Sequence, residues 1–381
     1  MAEVLKPSTE AELNQAIADA AAAGRQLELI GTGTKRGFGR PMQVAATLDL
    51  SRFSGIELYE PEELILEAGA GTPMGEIEKA VAAKGQMLAF EPPGEGTIGG
   101  MVSCNLSGPR RIKAGAARDH VLGMRGVTGR ADIFKAGARV MKNVTGYDLP
   151  KLLTGSHGTL AALTSVTVKV LPKPETEETL VFAGLDDAAA VRVMGLALQS
   201  PCEVSGSAHL PGKLPLTLLR LEGIAASVAY RRSKLATLLH EFGSAEALAE
   251  KQSKKQWQAI GDVSPLAARP ERCLWRISVA PTDGPKVAAQ IAAGIDARWF
   301  YDWGGGLVWL DVPPTDDAGA SIVRAAAAPG HATLIRAPDP TRLAVPVFQP
   351  QEAALAALTA RVKQAFDPAQ ILNPGRMYRG V

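Results

Sequence analysis

The segment Glu91 to Gly108, E-P-P-G-E-G-T-I-G-G-M-V-S-C-N-L-S-G, carries five glycines, several small hydroxyl residues and almost no charge. Without a Cβ, backbone N–H groups can approach a ligand closely and φ can turn positive, which is what a backbone cradle for phosphates needs. A second loop of this kind, Gly31-Thr32-Gly33-Thr34-Lys35-Arg36-Gly37, follows the apolar run Leu27 to Ile30. Two such cradles in one chain point to one large phosphate-bearing cofactor. Either loop alone also reads as an ordinary tight turn.

The elements that must position these loops alternate helix and strand patterns. Glu10 to Ala23 reads as an Ala-rich amphipathic helix behind Ser8 or Thr9, and Leu27 to Ile30 as a buried strand feeding the first glycine loop. Ala45 to Leu50, Ile56 to Tyr59 and Leu64 to Ala68 read as further strands, and Thr72 to Lys84 as a helix. From Gly94 to Pro172 glycine rises, with strand-like runs at Val121 to Val127, Asp132 to Lys135 and Ala162 to Leu171. In the last run, alternation sets valines on one face and polar side chains on the other. Pro172-Lys173-Pro174-Glu175 is a hinge, after which a β-α-β-β-α order occurs twice, joined by Glu246 to Glu271. Such a duplication predicts two ferredoxin-like halves sharing one antiparallel sheet. A last helix, Gln351 to Phe366, precedes the tail F-D-P-A-Q-I-L-N-P-G-R ending at Arg376.

The 381 residues suffice for two or three domains with full cores. With 41 Lys and Arg against 39 Asp and Glu, scattered along the chain, the composition argues against a nucleic-acid binder. Cys104, Cys202 and Cys273 are far apart and odd in number, offering neither a disulfide framework nor metal-ligand spacing, as expected for a reducing compartment. No secretory signal and no run of about 20 apolar residues is seen, so the expected location is the cytoplasm, with membrane contact only through partners.

Four motifs and the tail, in this order, resemble the flavoproteins with the FAD-binding fold of vanillyl-alcohol oxidase and p-cresol methylhydroxylase (PCMH). They are the early G-T-G-T loop, G-T-I-G-G-x-x-x-x-N-x-x-G from Gly96 to Gly108, R-D-x-V-L-G from Arg118 to Gly123, and G-S-x-G-T-L from Gly155 to Leu160. Within that family, Lys142-Asn143-Val144-Thr145-Gly146-Tyr147-Asp148-Leu149-Pro150-Lys151-Leu152 resembles the smaller FAD-binding subunits of bacterial glycolate oxidases. The resemblance implies an α+β chain, with a two-subdomain PCMH-type FAD domain over 1–174. An antiparallel-sheet cap with ferredoxin-like repeats would occupy 175–340, and a C-terminal segment, 341–381, would return to the FAD domain. It also implies that Gly31, Thr32, Gly33, Thr34 and Lys35 lie on one side of the FAD pyrophosphate and Thr97, Ile98, Gly99, Gly100 and Asn105 on the other. Gly158, Thr159, Leu163 and Thr164 would pass beside the flavin or adenine. His157 stands where the family often has an acidic residue, and is read as an incidental surface group rather than a tuning residue. The first loop has no histidine or cysteine for covalent attachment, and Cys104 reads as a small buried residue, so FAD is expected to be non-covalent.

The implied activity is oxidation of glycolate, or a related small 2-hydroxy acid, to glyoxylate within a complex. The implied partners are a larger flavin subunit carrying the substrate site and an iron–sulfur subunit that takes the electrons. Three scattered cysteines cannot ligate a cluster in this chain. A self-sufficient FAD-dependent 2-hydroxy-acid dehydrogenase and a structural flavin-bearing assembly subunit are the alternatives. Such an oxidation needs a cation for the carboxylate and a base for the hydroxyl proton, yet His209, His240 and His331 are isolated in the sequence and no metal cluster is apparent. Arg110, Arg111 and Lys113 read either as carboxylate or flavin ligands, or as a solvated loop or docking surface. Tyr147 is expected to be packed and Asp148 to cap a helix. The run Trp299 to Trp309 reads mainly as core, with a flexible hairpin tip at Gly304 to Gly306.

Overall fold

Thr9 opens the first helix: its Oγ1 accepts the amide of Glu12 at 3.1 Å, and Leu13, Ile17 and Ala20 bury one stripe of Glu10–Ala22. That stripe packs with Leu27 and Leu48 of a small parallel sheet. Its strands are β1 (Glu3–Leu5), β2 (Leu27–Ile30) and β3 (Ala46–Asp49), in the order β1-β3-β2. The computed structural model describes residues 3–137 and 147–381. Their contacts form two units, the first comprising Met1–Leu106, Gly115–Pro172 and Pro350–Val381, the second Ser107–Ala114 and Lys173–Gln349.

The rest of the first unit is built on β4 (Ile56–Glu60), β5 (Ile65–Gly69), β6 (Gln86–Met87), β7 (Val121–Thr128), β8 (Ile133–Gly137), β9 (Ala161–Lys169) and β10 (Leu171–Pro172). Five of these form an antiparallel sheet in the order β4-β5-β9-β7-β8, while β10 pairs with β6. The alternation in β9 is real, but both of its faces are covered. Val166 and Val168 join one core, while Thr164 on the polar side is buried and donates to Glu10 Oε1 at 2.8 Å. A polar face on a central strand here means a second layer, not solvent.

Lys142 to Gly146 of the motif quoted above lie outside the described residues. Tyr147, expected to be packed, is 90 % exposed. Asp148 does cap Leu149–Leu153, its Oδ1 accepting the Lys151 amide at 3.2 Å.

In the second unit, β11 (Thr176–Ala183), β12 (Gly206–Leu210), β13 (Leu216–Gly223), β14 (Ala245–Leu248), β15 (Cys273–Ser278), β16 (Arg298–Asp302), β17 (Leu307–Val312) and β18 (His331–Arg336) form one antiparallel sheet. Its order, β14-β11-β13-β12-β16-β17-β15-β18, is one ferredoxin-like half followed by its mirror order, with the halves joined where His209 pairs with Tyr301. The first half gains its fourth strand, β14, at the start of the segment read in the sequence as a joint; four residues with little apolar alternation give no strand signal of their own. Helices Asp187–Gln199, Ala225–Leu238, Gly284–Gly294 and Ala320–Ala327 bury one face of this sheet in a single large core. The supposed hairpin tip at Gly304 to Gly306 is packed rather than flexible. A Cβ on Gly305 would stand 2.7 Å from the carbonyl oxygen of Pro281, and Gly304 has φ +70°. No helix among the described residues is long and apolar enough to cross a membrane.

Candidate functional site

The carboxyl end of β2 delivers the first glycine loop to the rim of a cleft of about 730 Å3, a count that includes its open mouth. Gly31 must be glycine because a Cβ there would meet Thr97 Oγ1 at 2.6 Å, so the two glycine segments touch. Lys35 Nζ donates to the Glu95 carbonyl at 2.8 Å and Thr34 Oγ1 to the same oxygen at 3.3 Å, fastening the first loop to the second. Gly33 takes φ +77° and closes a turn in which Arg36 N donates to the Gly33 carbonyl at 3.2 Å. The amides of Thr32, Gly33 and Thr34 find no acceptor among the described residues. Burial pulls the Lys35 ammonium below its ordinary range.

Across the cleft, Thr97 caps the short helix Ile98–Ser103 by accepting the Gly100 amide at 3.2 Å. Gly99 lets that helix lie on the end of β5, since a Cβ would sit 2.7 Å from the Ala70 carbonyl oxygen. The third wall is the turn before β9. His157 N donates to the Ser103 carbonyl at 2.8 Å, and His157 and Gly158 both take positive φ.

Ten of the fourteen expected cofactor residues line the cleft: Gly31, Thr32, Gly33, Thr34 and Lys35 on one side, and Thr97, Gly99, Gly100, Gly158 and Leu163 on the others. Four do not. Ile98 is fully buried in the core beneath, and Asn105 Oδ1 accepts the Arg118 amide at 3.2 Å. Thr159 Oγ1 is spent on the Ser156 carbonyl, and Thr164 on Glu10.

The chain's last residues complete the wall, which the sequence reading did not foresee. Asn373 bridges two segments, accepting the Leu29 amide at 2.8 Å and donating to the His157 carbonyl at 2.7 Å. Arg376 donates to the carbonyls of Lys35 and Arg36 at 2.8 and 3.2 Å. The tail is held by a buried knot: Lys363 Nζ donates to Asp367 at 2.7 Å and to the carbonyls of Thr159 and Leu372 at 2.6 and 2.9 Å. Asp367 in turn accepts the amides of Ile371 and Leu372. The N-P-G-R tail is the signal that marks Asn373 and Arg376.

His157 is no incidental surface group and Cys104 is no mere filler, because both line the cleft, half-buried, with Sγ 3.7 Å from Nδ1. Burial pushes the thiol up to about 11; burial and the nearby Arg376 charge pull the imidazole down to about 4. At neutral pH the pair is a thiol beside a neutral ring.

In the second unit the expected cation trio divides. Arg110 Nε lies 3.0 Å from both carboxylate oxygens of Glu222, and Lys113 pairs with Glu203 at 3.1 Å. Arg111 instead lies over the Trp303 ring, 4.3 Å from its centroid. Nor is His209 isolated. It is fully buried, with Nε2 3.3 Å from Asp187, which also accepts from Tyr301 Oη and Trp299 Nε1. His240 is exposed. No group of three metal-ligating side chains occurs among the described residues.

A protein-family profile described as an FAD binding domain matches residues 1–137. Glycolate oxidase subunit GlcE of Escherichia coli is 37 % identical over 371 residues, covering 96 % of this chain and 95 % of that protein. Glycolate oxidase subunit GlcD of Bacillus subtilis is 30 % identical over 216 residues, 55 % of this chain and 44 % of that one. Substrate-bound p-cresol methylhydroxylase superposes with a TM-score of 0.75 at 15 % identity, covering 98 % of this chain and 88 % of that one, a likeness of fold. The cofactor is FAD. The cleft's chemistry fits it: Lys35, Arg36 and Arg376 are cations, no carboxylate among the described residues lines the wall, and Leu29, Leu50, Ala161 and Leu163 offer apolar surface to rings.

Proposed function

We propose that this chain, which belongs to the glycolate oxidase GlcE subunit family, holds FAD in the cleft between Gly31 and Arg376 and serves a multisubunit oxidase of glycolate or a related 2-hydroxy acid. In this reading 1–174 and the returning 341–381 segment are the FAD domain and 175–340 the cap. The observation that carries it is the junction of two glycine segments and the tail around a wall that, among the described residues, holds three cations and no acid.

When bound, FAD supplies the hydride acceptor. The chain's own residues bind and orient it. Free amides of Thr32 to Thr34 receive the pyrophosphate, Gly31 and Gly99 bring the two backbones together, and Asn373 fixes the first strand against the His157 turn. Attachment is non-covalent because the one thiol in the wall is held protonated, and the thiolate is the nucleophilic form.

The partners in this reading are a larger flavin subunit and an iron–sulfur subunit that takes the electrons. The pairing of Arg110 and Lys113 with glutamates of their own unit removes two of the three cations a self-sufficient enzyme would have used. The test is turnover of glycolate by the purified chain alone and after assembly with both subunits. Retained FAD with turnover only in the assembly is expected; robust turnover by the isolated chain refutes the reading.

A further inference from the structure

The turn that carries His157 is fixed on both sides of that residue. Its amide donates to the Ser103 carbonyl at 2.8 Å and its carbonyl accepts Asn373 Nδ2 at 2.7 Å, while its own backbone takes φ +53°. Left-handed backbone is uncommon for a residue with a side chain, and it persists only where the surroundings impose it. Here they set the ring in the wall of the cleft, with Cys104 Sγ 3.7 Å from Nδ1.

Three elements bring titratable or charged groups to this part of the wall. The end of the helix Ile98–Ser103 brings Cys104, the first glycine loop brings Lys35 and Arg36, and the tail brings Arg376. Glu28 of β2 lies behind them, paired with Arg36 at 2.8 Å and with Arg376 at 3.9 Å, and does not line the wall. Burial, with the Arg376 charge, holds the imidazole neutral down to about 4. Burial also keeps the thiol protonated against the pull of Arg376 and Lys35. Arg376 thus acts on both members of the pair, and the same guanidinium donates to the carbonyls of Lys35 and Arg36. The charge that keeps the ring neutral is therefore fastened to the loop assigned above to the pyrophosphate.

A bound pyrophosphate diester sets two negative charges among these cations. It also covers the ring, which disfavours charging it. The first effect outweighs the second, because two full charges act through a wall of low dielectric constant while the half-buried ring has already lost much of its water. We propose that His157, backed by Cys104, takes up a proton from solvent when FAD binds, so that the cleft holds its cofactor more tightly as pH falls. The proton goes to a ring nitrogen, after which both ring nitrogens are donors and the Cys104 sulfur serves Nδ1 as a weak acceptor. A carboxylate in place of the thiol would have charged the ring before FAD arrived. The sign follows from linkage: a group that binds its proton more strongly in the FAD-bound chain raises FAD affinity as pH falls, until the free chain is protonated as well, near 4. Burial lowers Lys35 from 10.5, so any proton it gains on binding FAD belongs to the alkaline range and is separable from that of His157. The inference rests on the reading of this cleft as the FAD site and adds a regulation of it.

The experiment is calorimetric titration of the flavin-free full chain with FAD at about pH 7.5 and about pH 5.5, each in two buffers of different ionisation enthalpy, which counts the protons taken up. The wild type should bind FAD at least about threefold more tightly at the lower pH, with net proton uptake. His157→Asn, which does not titrate and suits left-handed backbone, should lose both the pH dependence and the uptake. Should that variant fail to fold, nitrogen NMR of labelled histidine in the wild type decides at about pH 5.5: among the five histidines, one ring that is neutral in the flavin-free chain should be protonated in the loaded one. FAD binding without proton uptake, the same uptake in folded His157→Asn, or histidine signals unmoved by FAD overturns the proton-linked site and leaves the FAD reading standing. A folded chain that binds no FAD at either pH overturns the FAD reading and this inference with it.

Discussion

The two units solve opposite electrostatic problems. In the first, the functional cleft is walled by backbone: glycines, short hydroxyl residues and amides without acceptors among the described residues, with Lys35, Arg36 and Arg376 at its edges, the last two paired with Glu28, which does not line the wall. In the second, charge is buried by pairing side chains. Glu222 is nearly enclosed by Arg110 and the fully buried Arg220, and Asp311 by Arg272 and Arg298. A cleft built of unpaired donors is completed by a ligand, whereas a cluster of paired charges is complete in itself.

The comparison breaks most directly at Gly31. Gly31→Val puts a branched side chain where even a Cβ would lie 2.6 Å from Thr97 Oγ1, so bound FAD should fall by at least about tenfold, read by flavin absorbance per chain. Unchanged flavin content would show that the two glycine segments need not touch. Next comes the knot behind the cleft. Lys363→Met strands the buried Asp367, which should cost about 3 kcal/mol in denaturant unfolding and loosen FAD, since Asn373 and Arg376 are carried by the tail that Lys363 and Asp367 hold.

Arg110→Ala sharpens the contrast from the other side. It should destabilise the chain by about 2 kcal/mol, discounted for the partial exposure of Arg110, while leaving FAD content intact. Its pH dependence has a definite sign. Burial opposes ionisation of Glu222, but Arg220 and Arg110 outweigh it and draw the carboxyl from 4.5 down to about 2. A carboxyl lowered in the folded state contributes stability above its unfolded pKa and loses it as pH falls through the folded value. The gap between wild type and Arg110→Ala should therefore narrow between pH 4.5 and about 2. Glu177 in the same cluster is shifted upward, mainly by burial, and works in the opposite sense. The smallest effect is expected for Cys104→Ser, which should keep FAD and shift only the flavin absorption bands.

What the sequence revealed follows the same division. The cradle was legible because its requirement is local: Gly31, Gly99 and Gly158 each stand where a side chain would strike a neighbour, and a glycine motif records that need. The duplicated β-α-β-β-α pattern was legible through periodicity. Arg110 could be read as a ligand or as part of a solvated loop or docking surface, because nothing near it in sequence reveals Glu222, 112 positions away. His157 looked incidental because its partner, Cys104, lies 53 positions earlier. Ile98, Asn105, Thr159 and Thr164 do not line the cleft, because a motif marks a segment while the side of the segment that faces the cleft is set by packing. Glu10, in the first turn of the first helix, is what takes the Thr164 hydroxyl.

The central claim is that this wall of backbone donors and cations holds one FAD without a covalent bond. The direct measurement is the visible spectrum of the purified full chain, followed by acid precipitation and assay of flavin in the supernatant and pellet. The account predicts a yellow protein that releases all of its flavin, as FAD, into the supernatant. A folded but colourless chain, or flavin that stays with the precipitated polypeptide, would contradict it.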